Sequence, residues 1–283
     1  MRREIESKLS FFETWLRNQR YSDKTIVTYV KAITIFFEFF ENTLPEQITI
    51  ADFHCFSRDY VLKNRYSASY QNQLINAIKL FYLKVEQKKL DIELIERPRR
   101  YNPLPKVIPK EVIKKMLTSI PNLKHQTALT LIYSCGLRRG ELINLKLIHL
   151  DSRRRTVAII NGKGQKDRVL PVSEKMMKMI IRYYRIYRPE IYLIEGQVKG
   201  QKYSETSLEN IFHKYLGMIY KKHNFTLHCL RHSYATHLLE AGVSLRYIQE
   251  LLGHKSSKTT EIYTHVSTHS LSTIRNPIDD FDL

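Results

Sequence analysis

The stretch LLGHKSSKTTEIYTHVS, Leu251 to Ser267, places a tyrosine nine residues after the histidine of an LLGH turn. A buried structural tyrosine ordinarily lies in an apolar stripe. Tyr263 is instead flanked by Thr, Glu and His, in a segment rich in Lys, Ser and Thr. Either the segment is a basic docking element whose tyrosine is incidental, or it delivers a phenol to a reacting group. The rest of the chain decides between them.

Charge narrows the choice. Lys and Arg total 46 against 28 Asp and Glu, a formal charge of +18. Residues 1–100 hold 17 basic and 13 acidic side chains, leaving a net +14 on residues 101–283. Such an excess points to a polyanionic partner, most commonly nucleic acid. A basic membrane-surface protein needs an amphipathic basic helix whose bulky apolar face has no other use, and none is evident. Cys55, Cys135 and Cys229 lie far apart without CxxC spacing. They fit neither a disulfide framework nor a zinc site and point to a reducing compartment, each read as a small core filler. No apolar run approaches the ~18–20 residues that span a bilayer, and MRREIESKLS lacks the apolar core of a signal peptide. A cytoplasmic, nucleoid-associated protein is expected.

Residues 1–97 read as helices throughout. In YSDKTIVTYVKAITIFFEFF, Ser22 is a ready N-cap, and Ile26, Tyr29, Val30, Ile33, Phe36, Phe37 and Phe40 recur at helical steps. NTLPEQIT interrupts, a further helix begins near Ile50, and another puts Tyr70, Leu74, Ile78 and Phe81 on one stripe. These aromatics read as core rather than as base-stacking platforms. Four prolines then fall between Pro98 and Pro109 among basic residues. Proline stops helices and stiffens connectors, so 98–109 reads as a linker between two domains. Beyond it, PKEVIKKML and HQTALTLIYSCGLRRGELINL read as helices. Thr156–Ile160 and Arg168–Val172 read as strands joined by a turn around Asn161–Gly164. Helices then resume, broken at Gly196–Gly200 and at Gly217. The fold class is mainly α with a small β-hairpin.

Four segments carry the chemistry. YSCGLRRGEL brackets two arginines between Gly136 and Gly140, so that Arg138 or Arg139 is aimed from a fixed element; a surface arginine pair near a kink is the bland alternative. INGKGQKDRVLP sets Lys163 between two glycines in the hairpin turn, where backbone can approach a ligand closely. Alone, a solvated loop lysine explains that better, and no Walker loop is present. TLHCLRHSYATHLLEAG puts His228, Arg231 and His232 at i, i+3 and i+4 on one helix side, with Leu227, Leu230, Ala235 and Leu238 for packing and Gly242 as a C-cap. The two histidines have metal-ligand spacing, but HExxH is absent, Arg231 would repel a cation, and no third ligand is evident. A phosphate suits this face better. Last, Ser244 can cap LRYIQELL, Gly253 stops it, His254 follows, and Ser256 or Ser257 can cap the short helix bearing Tyr263.

Two arginines, a lysine and two histidines around one phosphodiester, with a tyrosine to attack it, make a coherent set. A phenol with a pKa near ~10 needs a neighbouring base or cationic field to act as a nucleophile. Arginine forks hold non-bridging oxygens bidentately and stay charged. Together such groups stabilise a developing phosphorane-like charge without a metal or other cofactor.

In this order and spacing the segments resemble the tyrosine recombinase (phage integrase) family, most closely its Xer-like and integron-integrase-like members. The resemblance is strong over about 100–283; the N-terminal part matches only in pattern. It implies a two-domain DNA clamp, with an N-terminal SAM-like four-helix core-binding domain (1–97), the linker 98–109 and a catalytic domain (110–283). It further implies that Tyr263 attacks the scissile phosphate to give a 3′-phosphotyrosyl link and a free 5′-hydroxyl. Arg138 and Arg231 hold phosphate oxygens, Lys163 protonates the leaving oxygen, His228 and His254 assist, and Glu141 is a structural support. Neither ATP nor metal is implied. The implied partner is double-stranded DNA with specific recombination sites, bound by a homotetramer on two sites or a heterotetramer with a paralogue. The tail, 267–283, is expected to dock on a neighbouring protomer.

Three other classes fit less well. A DNA-binding regulator accounts for the charge and for a helix-turn-helix reading of AGVSLRYIQELLGHKSSKTTEIY, but not for Lys163, His228, Arg231 and Tyr263 together. A relaxing topoisomerase shares the chemistry and differs in whether strands are exchanged. A metal-dependent transposase needs a carboxylate cluster that is not evident.

Overall fold

A computed structural model describes residues 2–41, 43–87, 97–98, 104–160, 167–221, 223–254 and 256–264. The chain divides into two compact units, Met1–Asn102 and Pro103–Leu283. Among the described residues, no helix is long and apolar enough to cross a membrane.

The first unit is helical because its apolar residues recur every three to four positions and its helices start at capping side chains. Helices α1 (Arg2–Asn18), α2 (Asp23–Phe39), α3 (Ile50–Phe56) and α4 (Ala68–Lys84) follow one another, with a π-helical turn, Ser57–Leu62, extending α3. Ser22 accepts the Thr25 N–H at 3.2 Å and Ser67 the Tyr70 N–H at 3.2 Å, each satisfying a donor that the first helical turn leaves unpaired. At α3, Asp52 returns the favour by accepting the Thr49 N–H at 2.9 Å. Of the stripe on α2, Ile26, Ile33, Phe36 and Phe37 are buried, and on α4 Leu74, Ile78 and Phe81. Tyr29, Val30, Phe40 and Tyr70 lie at the edge of that core. Phe36 meets Phe56 edge-on at 5.0 Å, the arrangement ring quadrupoles favour. These aromatics are core, as their spacing predicts.

The second unit builds around α5 (Lys110–Ser119), α6 (Leu123–Cys135), α8 (Glu174–Tyr187), α9 (Glu205–Ile219) and α10 (His228–Glu240). Between α6 and α8 stand the short α7 (Arg139–Ile143) and an antiparallel sheet, β1 (Leu150–Asp151), β2 (Thr156–Ile159) and β3 (Arg168–Pro171), in that order. Val157 pairs with Leu170, and these two with Ile159 turn one sheet face into the core. Helices α11 (Leu245–Leu252) and α12 (Lys258–Glu261) close the described chain. Cys135 and Cys229 are buried free thiols in this core, while Cys55 of the first unit is half-buried.

The structure departs from the sequence-based expectations in four places. The run from His125 to Leu145 is not one helix: Gly136 takes a left-handed φ of 60° and ends α6, and α7 restarts at Arg139. Gly217 breaks nothing and lies inside α9, where an added Cβ would meet open space. Helix α10 is capped by Ala241 rather than Gly242, whose φ of 83° turns the chain one residue later. The two-residue strand β1 was not anticipated, being too short to show a period. The turn Asn161–Gly164, residues 99–103 of the linker and the tail 267–283 lie outside the described residues.

Candidate active site

Three elements of the second unit, α7, β3 and α10, converge on one carboxylate. Glu141, in the first turn of α7, accepts the Arg138 N–H at 2.8 Å and the Arg138 Nη1 at 2.7 Å. It also takes Arg168 Nη1 at 2.9 Å and Nη2 at 2.8 Å from β3, while Arg231 Nη1 stands 3.7 Å away on α10. Burial alone would raise the pKa of Glu141. The hydrogen bonds and charge of Arg168, with the Arg138 N–H and the charge of Arg231, outweigh it and leave the pKa at about 2. The glutamate is thus a fixed anion that holds three guanidiniums together.

Arg138 and Arg139 part company here. Arg138 keeps 21% of its side chain exposed beside Glu141. Arg139 turns to α9, where it pairs with Glu205 at 2.8 Å and with Glu209. The break at Gly136 produces that difference, since Arg138 becomes the extended residue before α7 and Arg139 its first helical one.

Arg231 is 1% exposed. Its Nη1 donates to Gly136 O and its Nη2 to Leu252 O, both at 2.6 Å, so it ties α10 to the ends of α6 and α11. Burial and the nearby Arg138 lower its pKa to about 9, Glu141 opposing them, so it remains charged at neutral pH. Its Nη2 also lies 3.2 Å from His254 Nε2. A guanidinium only donates, so Nε2 must be the acceptor and the His254 proton must sit on Nδ1. Nδ1 is 2.9 Å from the hydroxyl of Thr260, which is fully buried and fixes that tautomer. Burial first, then Arg231 and Arg138, hold the His254 pKa down at about 3, which keeps the ring neutral.

Tyr263 is 1% exposed and packs with Ala235, Ile248 and Leu252. Its hydroxyl lies 3.1 Å from His232 Nδ1, and its ring stacks near His254 at 6.5 Å. Burial raises its pKa, and the opposing charges of Arg231 and Arg138 do not cancel that rise. His228 is exposed at the start of α10, and its ring meets that of His232 edge-on at 4.5 Å.

Five of the seven residues expected from the sequence therefore stand in one contiguous network: Arg138, Glu141, Arg231, His254 and Tyr263. His228 adjoins it through His232. Lys163 lies outside the described residues. Three members were not in the expected set. Arg168 begins β3 and stands in the quoted INGKGQKDRVLP run, where only Lys163 was given a role. His232 was visible on the α10 face but was left out of the set. Thr260 resembles any helix threonine until its partner is known. Among the described residues no group of three or more His, Cys, Asp or Glu side chains is placed to hold a metal ion. What the network offers is a cationic cluster whose guanidiniums are held by one carboxylate, with a phenol and neutral imidazoles beside them.

Residues 106–270 match the phage integrase family, and residues 9–92 match the N-terminal SAM-like domain of phage integrases. The tyrosine recombinase XerA of Pyrococcus horikoshii is 35% identical, over 93% of this chain and 90% of its own. A crystal structure of XerA recombinase is 27% identical with a TM-score of 0.55, covering 95% of this chain and 96% of that one. The XerH site-specific recombinase, crystallised on a palindromic difH substrate after cleavage, shares the fold at a TM-score of 0.73 and 22% identity, over 87% of this chain and 78% of that one. The chain belongs to the phage integrase family, the tyrosine recombinases, which break and rejoin DNA at specific sites through a phosphotyrosyl intermediate.

Proposed function

We propose that this chain recombines double-stranded DNA at specific sites with Tyr263 as its nucleophile. The observation that carries the reading is one connected network in which Arg138 and Arg231 stand against a buried glutamate, His254 against Arg231, and the Tyr263 ring against His254. Arg138, at the exposed side of the network, and Arg231 beneath it bind the non-bridging oxygens of the scissile phosphate. The Tyr263 oxygen attacks phosphorus, the bond to the 5′-oxygen breaks, and that oxygen leaves with a proton from Lys163. The products are a 3′-phosphotyrosyl link and a 5′-hydroxyl. A 5′-hydroxyl from a second strand then reverses the step, so the phosphoester energy is retained without ATP or metal. His228 and His254 contribute hydrogen bonds to the phosphate as charge builds on it.

Residues 1–97 serve as a core-binding domain, 98–109 as the linker and 110–283 as the catalytic domain. The working unit is a homotetramer on two DNA sites, its 267–283 tails passing between protomers. The protein acts in the cytoplasm, on the nucleoid.

The test uses duplexes from DNA flanking the gene, nicked beside the cleavage position so that religation is blocked. Wild-type protein in EDTA is expected to form a covalent adduct on a denaturing gel, and Tyr263→Phe none. An adduct that survives in Tyr263→Phe would overturn the assignment.

A further inference from the structure

A phenol buried at 1% exposure, with a raised pKa, is protonated at neutral pH and ionises only rarely ahead of attack. The cationic groups nearby favour the phenolate, yet Arg231 and Arg138 leave the Tyr263 pKa above its ordinary value. Some group in contact with the oxygen has to take the proton as the bond to phosphorus forms. Of the two histidines ringing Tyr263, His254 is the less suited. Its Nε2 lone pair accepts from Arg231 and its Nδ1 proton is held by Thr260, so neither nitrogen is open to the phenol. His232 is different. Its Nδ1 lies 3.1 Å from the Tyr263 oxygen, within hydrogen-bonding range, and the packing of Tyr263 against Ala235, Ile248 and Leu252 fixes the phenol to that approach.

Resting on the reading of Tyr263 as nucleophile, we propose that His232 is a catalytic residue, the general base that accepts the Tyr263 proton. In the forward step the Tyr263 oxygen bonds to phosphorus, its proton passes to His232 Nδ1, and the 5′-oxygen departs with a proton from elsewhere in the site. In the resealing step His232 returns the proton to the departing tyrosine. The charged and titratable groups facing His232 are His228, one helical turn earlier on α10, Arg231 beside it, His254, and Tyr263 itself. Burial first, then His228 and Arg231, lower the His232 pKa to about 4, so the ring is neutral at neutral pH, and in the tautomer protonated at Nε2 its Nδ1 lone pair faces the Tyr263 hydroxyl. The same neighbours would oppose a permanent charge on it, so the protonated state is favoured only while the phosphate brings compensating negative charge.

Single-turnover adduct formation on the nicked duplex, followed from about pH 6 to 8.5, tests this. Asparagine places a polar atom near the position of Nδ1 but cannot take up a proton. His232→Asn is expected to lose about 10²-fold at pH 7. Its rate should then climb about tenfold per pH unit, because ionisation of the phenol has become a prerequisite, whereas the wild-type profile stays nearly flat. Melting temperature and duplex affinity serve as folding controls, and His232→Gln is read in the same way if the Asn variant does not fold. A wild-type rate in the variant, or a uniform loss with an unchanged pH profile, would overturn the proposal. A faster variant would also overturn it, by showing that the contact restrains the tyrosine. If wild-type protein itself forms no adduct, the fault lies with the nucleophile reading instead.

Discussion

At the scale of single residues, the side chains that hold the site are as consequential as those that face the substrate. Glu141 has its pKa lowered to about 2 against an ordinary 4.5, so it stabilises the folded state above the ordinary value. That contribution, of order ~3 kcal/mol, is lost as pH falls through about 4.5 towards 2. Glu141→Gln would leave three guanidiniums without their counter-charge and is expected to cost about 3–5 kcal/mol, read as a fall in melting temperature at pH 7. It should also flatten the acid limb of the stability curve between pH 5 and 2. Thr260→Val keeps volume but releases the His254 Nδ1 proton from its acceptor. An orienting partner of this kind is typically worth ~10–100-fold, so adduct formation should slow by about that factor while DNA affinity holds. Unchanged kinetics would show that Arg231 alone sets the tautomer.

The polar groups of the site were legible because arginine, histidine and tyrosine at these spacings are costly without a purpose. Their supports were not. Thr260 acquires meaning only through His254, and Arg168 only through Glu141, 27 residues away in sequence. Periodicity reports which way a residue faces along its own element. It carries nothing about a partner brought in by another element: the family resemblance singled out Arg138 over Arg139, but the pairing of Arg139 with Glu205 and Glu209 emerged only once α7 and α9 were in place.

At the scale of elements, two left-handed glycines position the arginines. Gly136 ends α6 at a φ of 60° and turns its carbonyl to Arg231. A Cβ at Gly136 would collide with the Tyr234 ring, and at this φ an L side chain already costs ~1–2 kcal/mol. Gly136→Ala is expected to destabilise by about 2–4 kcal/mol, overpacking included, and to reduce cleavage more than it reduces stability. A variant that melts within a degree of wild type would contradict this account of the turn. Gly253 plays the same part after α11, where a Cβ would lie 3.0 Å from Arg168 Cδ. Helices with a cap and an apolar stripe, such as α2 and α4, were readable from the order of residues alone. The boundary at Gly136 was not, because the apolar run continues across it and only the tertiary demand of Arg231 for a carbonyl distinguishes a break from a tolerated helical glycine.

At the scale of the whole molecule, the net +14 on residues 101–283 sets how the chain meets a polyanion. Affinity for duplex should fall at least ~10³-fold between about 50 and 200 mM salt, as phosphate neutralisation releases counterions. A flat response would contradict the electrostatic reading of the surface. The fold and the charge follow from patterns repeated over many residues and were open to the sequence. Which duplex sequence is recombined depends on a few base contacts that use the same Arg and Lys types as phosphate contacts, so composition does not reveal it. The central claim, however, concerns one bond. The measurement that tests it most directly is to digest the covalent adduct with trypsin and locate the nucleotide by mass spectrometry. The DNA is expected on the peptide 259–275, attached at Tyr263. Attachment at any other residue would contradict it.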